Sequence, residues 1–180
     1  FQPLVAAKPG TITGLEALVR WNHPEHGLIG PDRFIPIAEE SGLIVPLGEW
    51  VLREVCAMTR RWPGVGFAVN LSPVQFLDSS FASRLLAIVE ETGADPSRIE
   101  LEITEGVLLA DDEVAGVTLA ELRRLGFHIA LDDFGTGYSS LGYLQRFRVD
   151  RIKIDRSFVQ TVGEPEDASA IIVAIITLGH

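Results

Sequence analysis

The chain has 180 residues, 47% of them hydrophobic, which is long enough for one domain with a substantial buried core. Its formal net charge of −10 disfavours general attraction to DNA or to anionic membranes, so a phosphate ligand would need a local cation. The single cysteine, Cys56, rules out a disulfide within the chain and suits a reducing compartment.

Strand-like segments rich in β-branched residues alternate with segments of helical periodicity along the chain. The predicted strands are Gln2 to Val5, Leu15 to Trp21, Phe67 to Leu71, Ile99 to Thr104, Ile129 to Asp132 and Ile152 to Ile154. The predicted helices are Leu47 to Trp62, Phe81 to Glu91, Val114 to Leu125 and Ser139 to Phe147. Gly93 and Gly126 are placed to end helices, and Pro31 suits a first helical turn. This alternation predicts an α/β fold with a mainly parallel sheet.

The last predicted element is the apolar run from Ala170 to Gly179. It is too short to cross a bilayer and predicts a buried helix, so we expect no membrane insertion of this span. The sequence stops within this run at His180, without a signal that ends a helix. We therefore expect the sequence to be a fragment of a longer protein.

Several predicted strands carry polar residues on one face near their carboxyl ends. Side chains two positions apart on a strand point to the same side, which pairs Glu16 with Leu18 and Arg20, Asn70 with Ser72, Glu102 with Thr104, and Lys153 with Asp155. In an open sheet covered by helices on both faces, these charges would be buried at high cost. In a barrel they converge at the carboxyl ends of the strands, where the active sites of such barrels lie. The pattern therefore favours a barrel.

Five carboxylates would meet one ammonium group at this end of the barrel. The carboxylates belong to Glu16, Glu102, Asp132, Asp133 and Asp155, and the ammonium group to Lys153. Carboxylates at close range repel one another unless cations neutralise them. Oxygen ligands without cysteine or a well-placed histidine suit Mg²⁺ or Mn²⁺ better than zinc. Two such ions would balance the charge, and paired metals commonly serve displacement at phosphorus.

A series of motifs resembles one known family. The motifs are FQPLV, EALVRW, NLSPVQF, LEITEGVLL and LDDFGTGYSSLGYLQRFRVDRIKIDRSFV, and together they cover essentially the whole chain. In this order they resemble the EAL domain, the cyclic di-GMP phosphodiesterase of bacterial signalling. The resemblance implies a TIM-like (β/α) barrel whose first strand is antiparallel to the others. It also implies hydrolysis of cyclic di-GMP to linear pGpG with Mg²⁺ or Mn²⁺.

The resemblance also implies roles for individual residues. The metal ligands would be Glu16, Asn70, Glu102, Asp132 and Asp133. The substrate would be bound by Gln2 and by Arg20, whose guanidinium would meet a phosphate. The catalytic group would comprise Lys153, which hydrogen-bonds the attacking water or supports charge on the phosphate, Asp155 beside it, and Glu105, which steadies the loop after Asp133. Without the resemblance, Lys153 and Asp155 are equally consistent with a plain ion pair.

Partners and location follow from the same resemblance. The loop from residue 134 to 140 resembles the segment that couples dimerisation to metal binding, so we expect a homodimer. We also expect an upstream sensory or GGDEF domain in the parent protein and a cytoplasmic location. An upstream segment could still anchor the parent in the inner membrane.

The family's barrel continues with strands that have no counterpart here. One of them carries an EGVE-like motif whose glutamate is assigned as general base. Six strands are found where eight are expected, so we expect residues 1–180 to form an EAL barrel truncated after about six strands. Three functions remain open: an active phosphodiesterase, an inactive module that binds cyclic di-GMP or a protein partner, and a different TIM-barrel phosphate or enol enzyme.

Overall fold

The computed structural model describes residues 1–7, 10–135 and 147–160. Its strands are β1 (Gln2–Val5), β2 (Ile12–Ala17), β3 (Trp21–His23), β4 (Gly27–Ile29), β5 (Gly66–Asn70), β6 (Ile99–Thr104), β7 (His128–Phe134) and β8 (Arg151–Ile154). Six of them form one sheet in the order β1-β2-β5-β6-β7-β8, while β3 and β4 form a separate antiparallel hairpin. β1 pairs antiparallel with β2, and every later neighbour in the sheet pairs in parallel. The predicted parallel sheet with an antiparallel first strand is confirmed.

The helices fill the connections between these strands. They are α1 (Pro31–Glu40), α2 (Ile44–Arg61), α3 (Pro73–Phe76), α4 (Phe81–Thr92), α5 (Glu105–Ala110), α6 (Asp112–Arg124) and α7 (Arg156–Gln160), with a 3₁₀ turn at Pro96–Arg98. Pro31 occupies the first turn of α1, as predicted. Gly93 ends α4 with a φ of 64°, a left-handed conformation that glycine adopts without a side-chain clash.

The core lies between the sheet and the helices that cover its outer face. β6 is its centre: Ile99, Leu101 and Ile103 alternate along the strand, and all three are fully buried. They join residues of α2, α4 and α6 in one apolar cluster. Because side chains alternate across a strand, Glu102 points to the opposite face, the inside of the curled sheet. The packing of the outer face thus directs the charged residues of the strands inward.

The structure differs from the sequence prediction after the second strand. β2 ends at Ala17 rather than at Trp21, so Arg20 lies in a loop and does not continue the strand face of Glu16. The β3–β4 hairpin was not predicted, because strands of three residues are too short for periodicity to detect. Edge-on contacts of the Trp21 ring with His23 and Phe34 hold the hairpin against α1.

Two predicted helices involve residues outside the described ranges. Of the helix predicted at Ser139 to Phe147 only Phe147 is described, and the helix predicted at Ala170 to Gly179 is not described at all. Within the described residues, no helix combines the length and the apolar character that crossing a membrane requires.

Arg98 joins the base of β6 to the end of α2. Its guanidinium donates hydrogen bonds to the backbone carbonyls of Thr59, at 2.6 Å, and of Trp62 and Val65. These carbonyls belong to the last turn of α2 and the loop behind it, where a helix leaves acceptors without partners. A single side chain therefore supplies hydrogen-bond donors to the backbone carbonyls at the carboxyl end of α2, the longest helix among the described residues.

We expect Arg98→Met to lower the free energy of unfolding by about 2 kcal/mol, because three carbonyls lose a charged donor. The matched control is Arg60→Met. Arg60 makes one longer bond of 3.3 Å to the Thr92 carbonyl from an exposed position, and its loss should cost about 0.5 kcal/mol or less. Urea denaturation of both variants measures the difference. Equal losses would contradict the role assigned to Arg98.

Gly116 lies inside α6, where glycine is a poor helix former. A Cβ at this position would meet the Phe147 ring at 3.5 Å, an ordinary van der Waals distance. We therefore expect Gly116→Ala to raise the free energy of unfolding by about 0.5–1 kcal/mol. A fall in the urea midpoint would show that the space beside Phe147 is smaller than the structure indicates.

Candidate active site at the carboxyl ends of the strands

One ammonium group lies among three carboxylates from three other strands. Lys153, on β8, donates hydrogen bonds to Oε2 of Glu102 at 2.7 Å and to Oδ2 of Asp132 at 2.8 Å. Its Nζ also lies 3.9 Å from Oε1 of Glu16, on β2. The parallel strands bring these side chains together because their carboxyl ends lie at the same edge of the sheet. Four residues that are far apart in the sequence therefore form one charged cluster.

Glu102 is the buried member of this cluster. It is 1% exposed, and its Oε1 has no hydrogen-bond partner among the described residues. Burial raises the pKa of Glu102 to about 7, and repulsion from Glu16 and Asp132 adds to this, while Lys153 acts in the opposite direction. A buried acceptor without a donor is costly, and it marks a position suited to a cation.

Lys153 remains protonated in this environment. Burial acts to lower its pKa, but the hydrogen bonds to Asp132 and Glu102 and their negative charge outweigh burial, so the pKa of Lys153 is raised. The ammonium group thus compensates part of the negative charge of the cluster.

Asn70 connects the ends of β2 and β5. Its Nδ2 donates a hydrogen bond of 2.8 Å to Oε1 of Glu16. The pairing of β2 with β5 places Glu16 beside Ala68, two residues before Asn70. The Asn70 amide nitrogen makes this contact, so the amide oxygen, which is the metal-binding atom of asparagine, is not engaged by Glu16.

The two consecutive aspartates lie on β7 where its pairing with β8 becomes irregular. Asp133 has a φ of 53°, the only positive φ of a residue other than glycine among the described residues, and aspartate tolerates this region better than most side chains do. Its amide N–H donates to Oδ1 of Asp132 at 2.9 Å. Burial, followed by repulsion from Asp132 and Asp155, raises the pKa of Asp133. The strand continues to Phe134 past this irregularity, and Asp133 stays close enough to Asp132, Asp155 and Lys153 for their charges to act on its carboxylate.

Glu105 supports the segment that follows Asp133. It begins α5 instead of lying on β6, and its Oε1 accepts a hydrogen bond of 2.7 Å from the amide N–H of Gly135. Gly135 has a φ of 102°, and a Cβ there would lie 2.6 Å from the Phe158 ring. Only glycine therefore fits at this position.

Asp155, another predicted site residue, accepts hydrogen bonds from Ser157 and forms no ion pair with Lys153 among the described residues. Asp155 follows β8, and its Oδ1 accepts hydrogen bonds from the amide N–H and hydroxyl of Ser157, which lower the pKa of Asp155. Within the described residues, Lys153 forms ion pairs with Glu16, Glu102 and Asp132 and not with Asp155. The plain ion pair considered from the sequence is therefore not formed.

Gln2 pairs with Glu16 across two strands, whereas Arg20 lies in the loop after β2. β1 places Gln2 opposite Glu16 in the antiparallel register. Arg20, in the loop after β2, donates to the carbonyl of Val19 at 2.7 Å and borders a neighbouring cavity.

That cavity, of about 310 Å³, adjoins the charged cluster. It lies between the loop after β2, the helices α1 and α2, and the end of β5, and Asn70 and Thr104 line it on the side of the cluster. Two further polar residues line it that sequence reasoning did not select: Glu39, whose Oε1 accepts a 2.6 Å hydrogen bond from Ser72, and Gln75. Gln75 belongs to the NLSPVQF motif, but it lies on the helix α3, so the alternation of side chains along strands could not select it.

A parallel sheet with carboxylates and a lysine at the carboxyl ends of its strands is typical of (β/α)-barrel enzymes. Residues 1–180 match the family model of the EAL domain, so the chain belongs to the EAL domain family. The resemblance found in the sequence is thereby confirmed. Family membership also argues against a different TIM-barrel phosphate or enol enzyme.

Relatives with assigned activities cover the full length of the chain. The bifunctional diguanylate cyclase/cyclic di-GMP phosphodiesterase MucR of Pseudomonas aeruginosa is 44% identical over 185 residues. The cyclic di-GMP phosphodiesterase PdeR of Escherichia coli is 41% identical over 184 residues. All of this chain is covered in both comparisons, but it spans only 27% of MucR and 28% of PdeR.

A solved structure of the PaMucR phosphodiesterase in complex with c-di-GMP is similar over 99% of this chain and 74% of that one. The TM-score is 0.93 and the sequence identity 43%. The predicted EAL-type fold is confirmed: the six-stranded sheet is a curled half-barrel.

The cluster also generates a prediction about stability. We expect Lys153→Met to lower the free energy of unfolding at pH 8 in EDTA by about 2–3 kcal/mol, because buried Glu102 loses its compensating charge. The matched control is Arg151→Met on the same strand. Arg151 pairs with Glu100 at 2.9 Å from a half-exposed position, so its loss should cost about 1 kcal/mol or less. An unchanged urea midpoint in Lys153→Met would contradict the compensation.

Proposed function

We propose that this chain is the phosphodiesterase module of a longer signalling protein and hydrolyses one phosphodiester bond of cyclic di-GMP, giving linear pGpG. The observation that carries the proposal is the convergence of Glu16, Glu102 and Asp132 on Lys153 at the carboxyl ends of the strands. Two relatives that match the whole chain are cyclic di-GMP phosphodiesterases, which supports the same substrate.

We propose that two Mg²⁺ or Mn²⁺ ions bind at this cluster, held by Glu16, Asn70, Glu102, Asp132 and Asp133. The donor set is all oxygen, and the buried Oε1 of Glu102 has no partner among the described residues, so the residues fit hard cations. Within those residues, no group of three acidic, histidine or cysteine side chains is already arranged to hold a metal ion, and the Lys153 ammonium lies among the carboxylates of Glu16, Glu102 and Asp132. When bound, such ions would lower the pKa of a water molecule and neutralise phosphate charge.

The chain's own residues would orient the substrate and support its charge. Arg20 supplies a local cation for a phosphate, which the acidic composition requires. Gln2, opposite Glu16, would contact the dinucleotide from the other side. Lys153 would hydrogen-bond the attacking water or stabilise charge on the phosphate. Glu105 would act through Gly135 by fixing the segment after Asp133, and Asp155 would complete the group from the start of α7.

The proposal extends to the parent protein, of which this chain would be one part. We propose that the barrel of the parent protein is completed by further strands, one of which supplies the general base. We further propose that the parent protein carries an upstream sensory or GGDEF domain, forms a homodimer and is located in the cytoplasm. The relatives MucR and PdeR, more than three times as long as this chain, are consistent with additional domains.

A second candidate is a receptor that binds cyclic di-GMP without hydrolysing it. The observation that favours it is that the carboxylates of Glu102 and Asp132 both accept hydrogen bonds from the ammonium group of Lys153. The two functions are separated by incubating this chain, and one extended to the parent's natural end, with cyclic di-GMP and Mg²⁺ or Mn²⁺. Chromatographic detection of pGpG supports the phosphodiesterase. Binding by both proteins without pGpG would identify a receptor and overturn our main proposal.

We expect Glu16→Gln and Asp132→Asn in the extended protein to reduce pGpG formation by roughly 100-fold or more, because each removes a charged oxygen ligand. Their unfolding midpoints should change little, since the substitutions relieve repulsion between carboxylates. Glu100→Gln serves as the control, because Glu100 lies on β6 but pairs with Arg151 away from the cluster. Undiminished turnover in the first two variants would refute the metal assignment.

A further inference from the structure

The segment that leads into β8 is attached to β7 at Asp150. The backbone N–H of Asp150 donates to the carbonyl of Ile129 at 2.8 Å, and its Oδ2 accepts from the N–H of the same residue, also at 2.8 Å. Ile129 is fully buried in the core. Asp150 therefore binds both backbone polar groups of one core residue, directly before the first pair between the two strands, Ala130 with Arg151.

Arg123 reinforces this attachment from α6. Its guanidinium lies 3.1 and 3.5 Å from the two carboxylate oxygens of Asp150, and it also donates to the backbone carbonyl of Arg148 at 2.5 Å. Arg123 belongs to the last turn of α6, the helix that precedes β7. The helix before β7 and the segment before β8 are thus joined through one carboxylate.

The hydrogen-bonded ladder by itself fixes Lys153 only weakly. β8 has four residues and, within the described part of the chain, forms one edge of the sheet. Its register with β7 is regular at Arg151 and Ile152 but shifts before Ile154, so Lys153 lies opposite the two consecutive aspartates. A bulge of this kind disrupts the ladder locally. The position of Lys153 therefore depends on how β8 is attached on either side of the bulge.

The alternation of side chains along β8 does not define this position either. Arg151 and Lys153 lie on the same face, and they pair with two glutamates of β6, Glu100 and Glu102 respectively. A shift of β8 by two residues would bring Arg151 to Glu102 and would keep every side chain on its own face. A planar guanidinium is no substitute for a compact ammonium group in such a site. The attachment of Asp150 to Ile129 excludes the shifted register.

We propose that Asp150 is a positioning residue for the reaction: by binding Ile129 it fixes the register of β8 and so holds Lys153 against Glu102 and Asp132. The catalytic part of this proposal rests on the proposed function, whereas the structural part does not. Asp150 lies three residues before Lys153, outside the charged cluster, and acts only through the strand.

The first test is a double-mutant cycle in urea and EDTA, which needs no turnover. Lys153→Met lowers the unfolding midpoint, and we expect this fall to shrink to about half or less when Asp150→Ala is also present, because Lys153 has then left its place. Asp111→Ala is the matched control, since Asp111 also accepts from a backbone N–H, that of Val114 at 3.0 Å, but at the start of α6. In that background the fall should be undiminished.

An equal fall in all three backgrounds would show that Asp150 contributes to stability alone and would overturn the proposal. If Asp150→Ala does not fold, Arg123→Met replaces it under the same criterion, because this substitution loosens the same carboxylate.

The second test measures pGpG formation by the protein extended to the parent's natural end, well below the unfolding midpoint of each variant. Asp150→Ala should lower kcat about tenfold or more and change KM by less than about twofold, because Lys153 is misplaced. Asp150→Asn should restore most of the turnover, since its amide oxygen can still accept from Ile129. An unchanged kcat in Asp150→Ala would overturn the assignment. If the unsubstituted protein forms no pGpG, the proposed function fails, while the urea cycle still decides whether Asp150 fixes the register.

Discussion

The compensation of buried negative charge by Lys153 is the interaction on which the rest of the site depends. Glu102 lies at the centre of the sheet on β6, and its burial follows from the packing of its neighbours Leu101 and Ile103 on the other face. Lys153 reaches Glu102 and Asp132 from β8 because the strands are parallel, although the register between β7 and β8 shifts after Leu131. The ammonium group compensates part of the charge of three carboxylates, and one oxygen of Glu102 has no hydrogen-bond partner among the described residues.

Around this cluster, the backbone carries features that serve the site at the expense of local stability. Asp133 adopts a positive φ, so that consecutive aspartates stay near one end of the sheet. Gly135 permits the close approach of Phe158 and donates to Glu105. Gly48 makes space for Gln75 inside a helix. Such features concentrate at functional sites, because local strain and unpaired groups persist where a ligand interaction compensates for them.

Much of the architecture was predictable because it depends on local patterns. The alternation of apolar strands and amphipathic helices, read with Pro31 and the helix-ending glycines, predicts the order of elements and a parallel sheet. The EAL-type motifs predict the family and the antiparallel first strand. The β3–β4 hairpin and the true end of β2 were missed, because three-residue strands carry no periodicity and because Trp21 is held by contacts with His23 and with Phe34 of α1.

Local patterns were enough to select the residues that could carry the chemistry, because the alternation of side chains along a strand keeps Glu16, Asn70, Glu102 and Lys153 away from the apolar face. Which of these residues lie in contact depends on the packing of the strands. Distances between strands depend on register and curl, so only the fold places Lys153 against Glu102 and Asp132, and turns Asp155 toward Ser157. It also decided that Gln75 faces a cavity over Gly48, because that contact joins two helices whose relation no local pattern encodes.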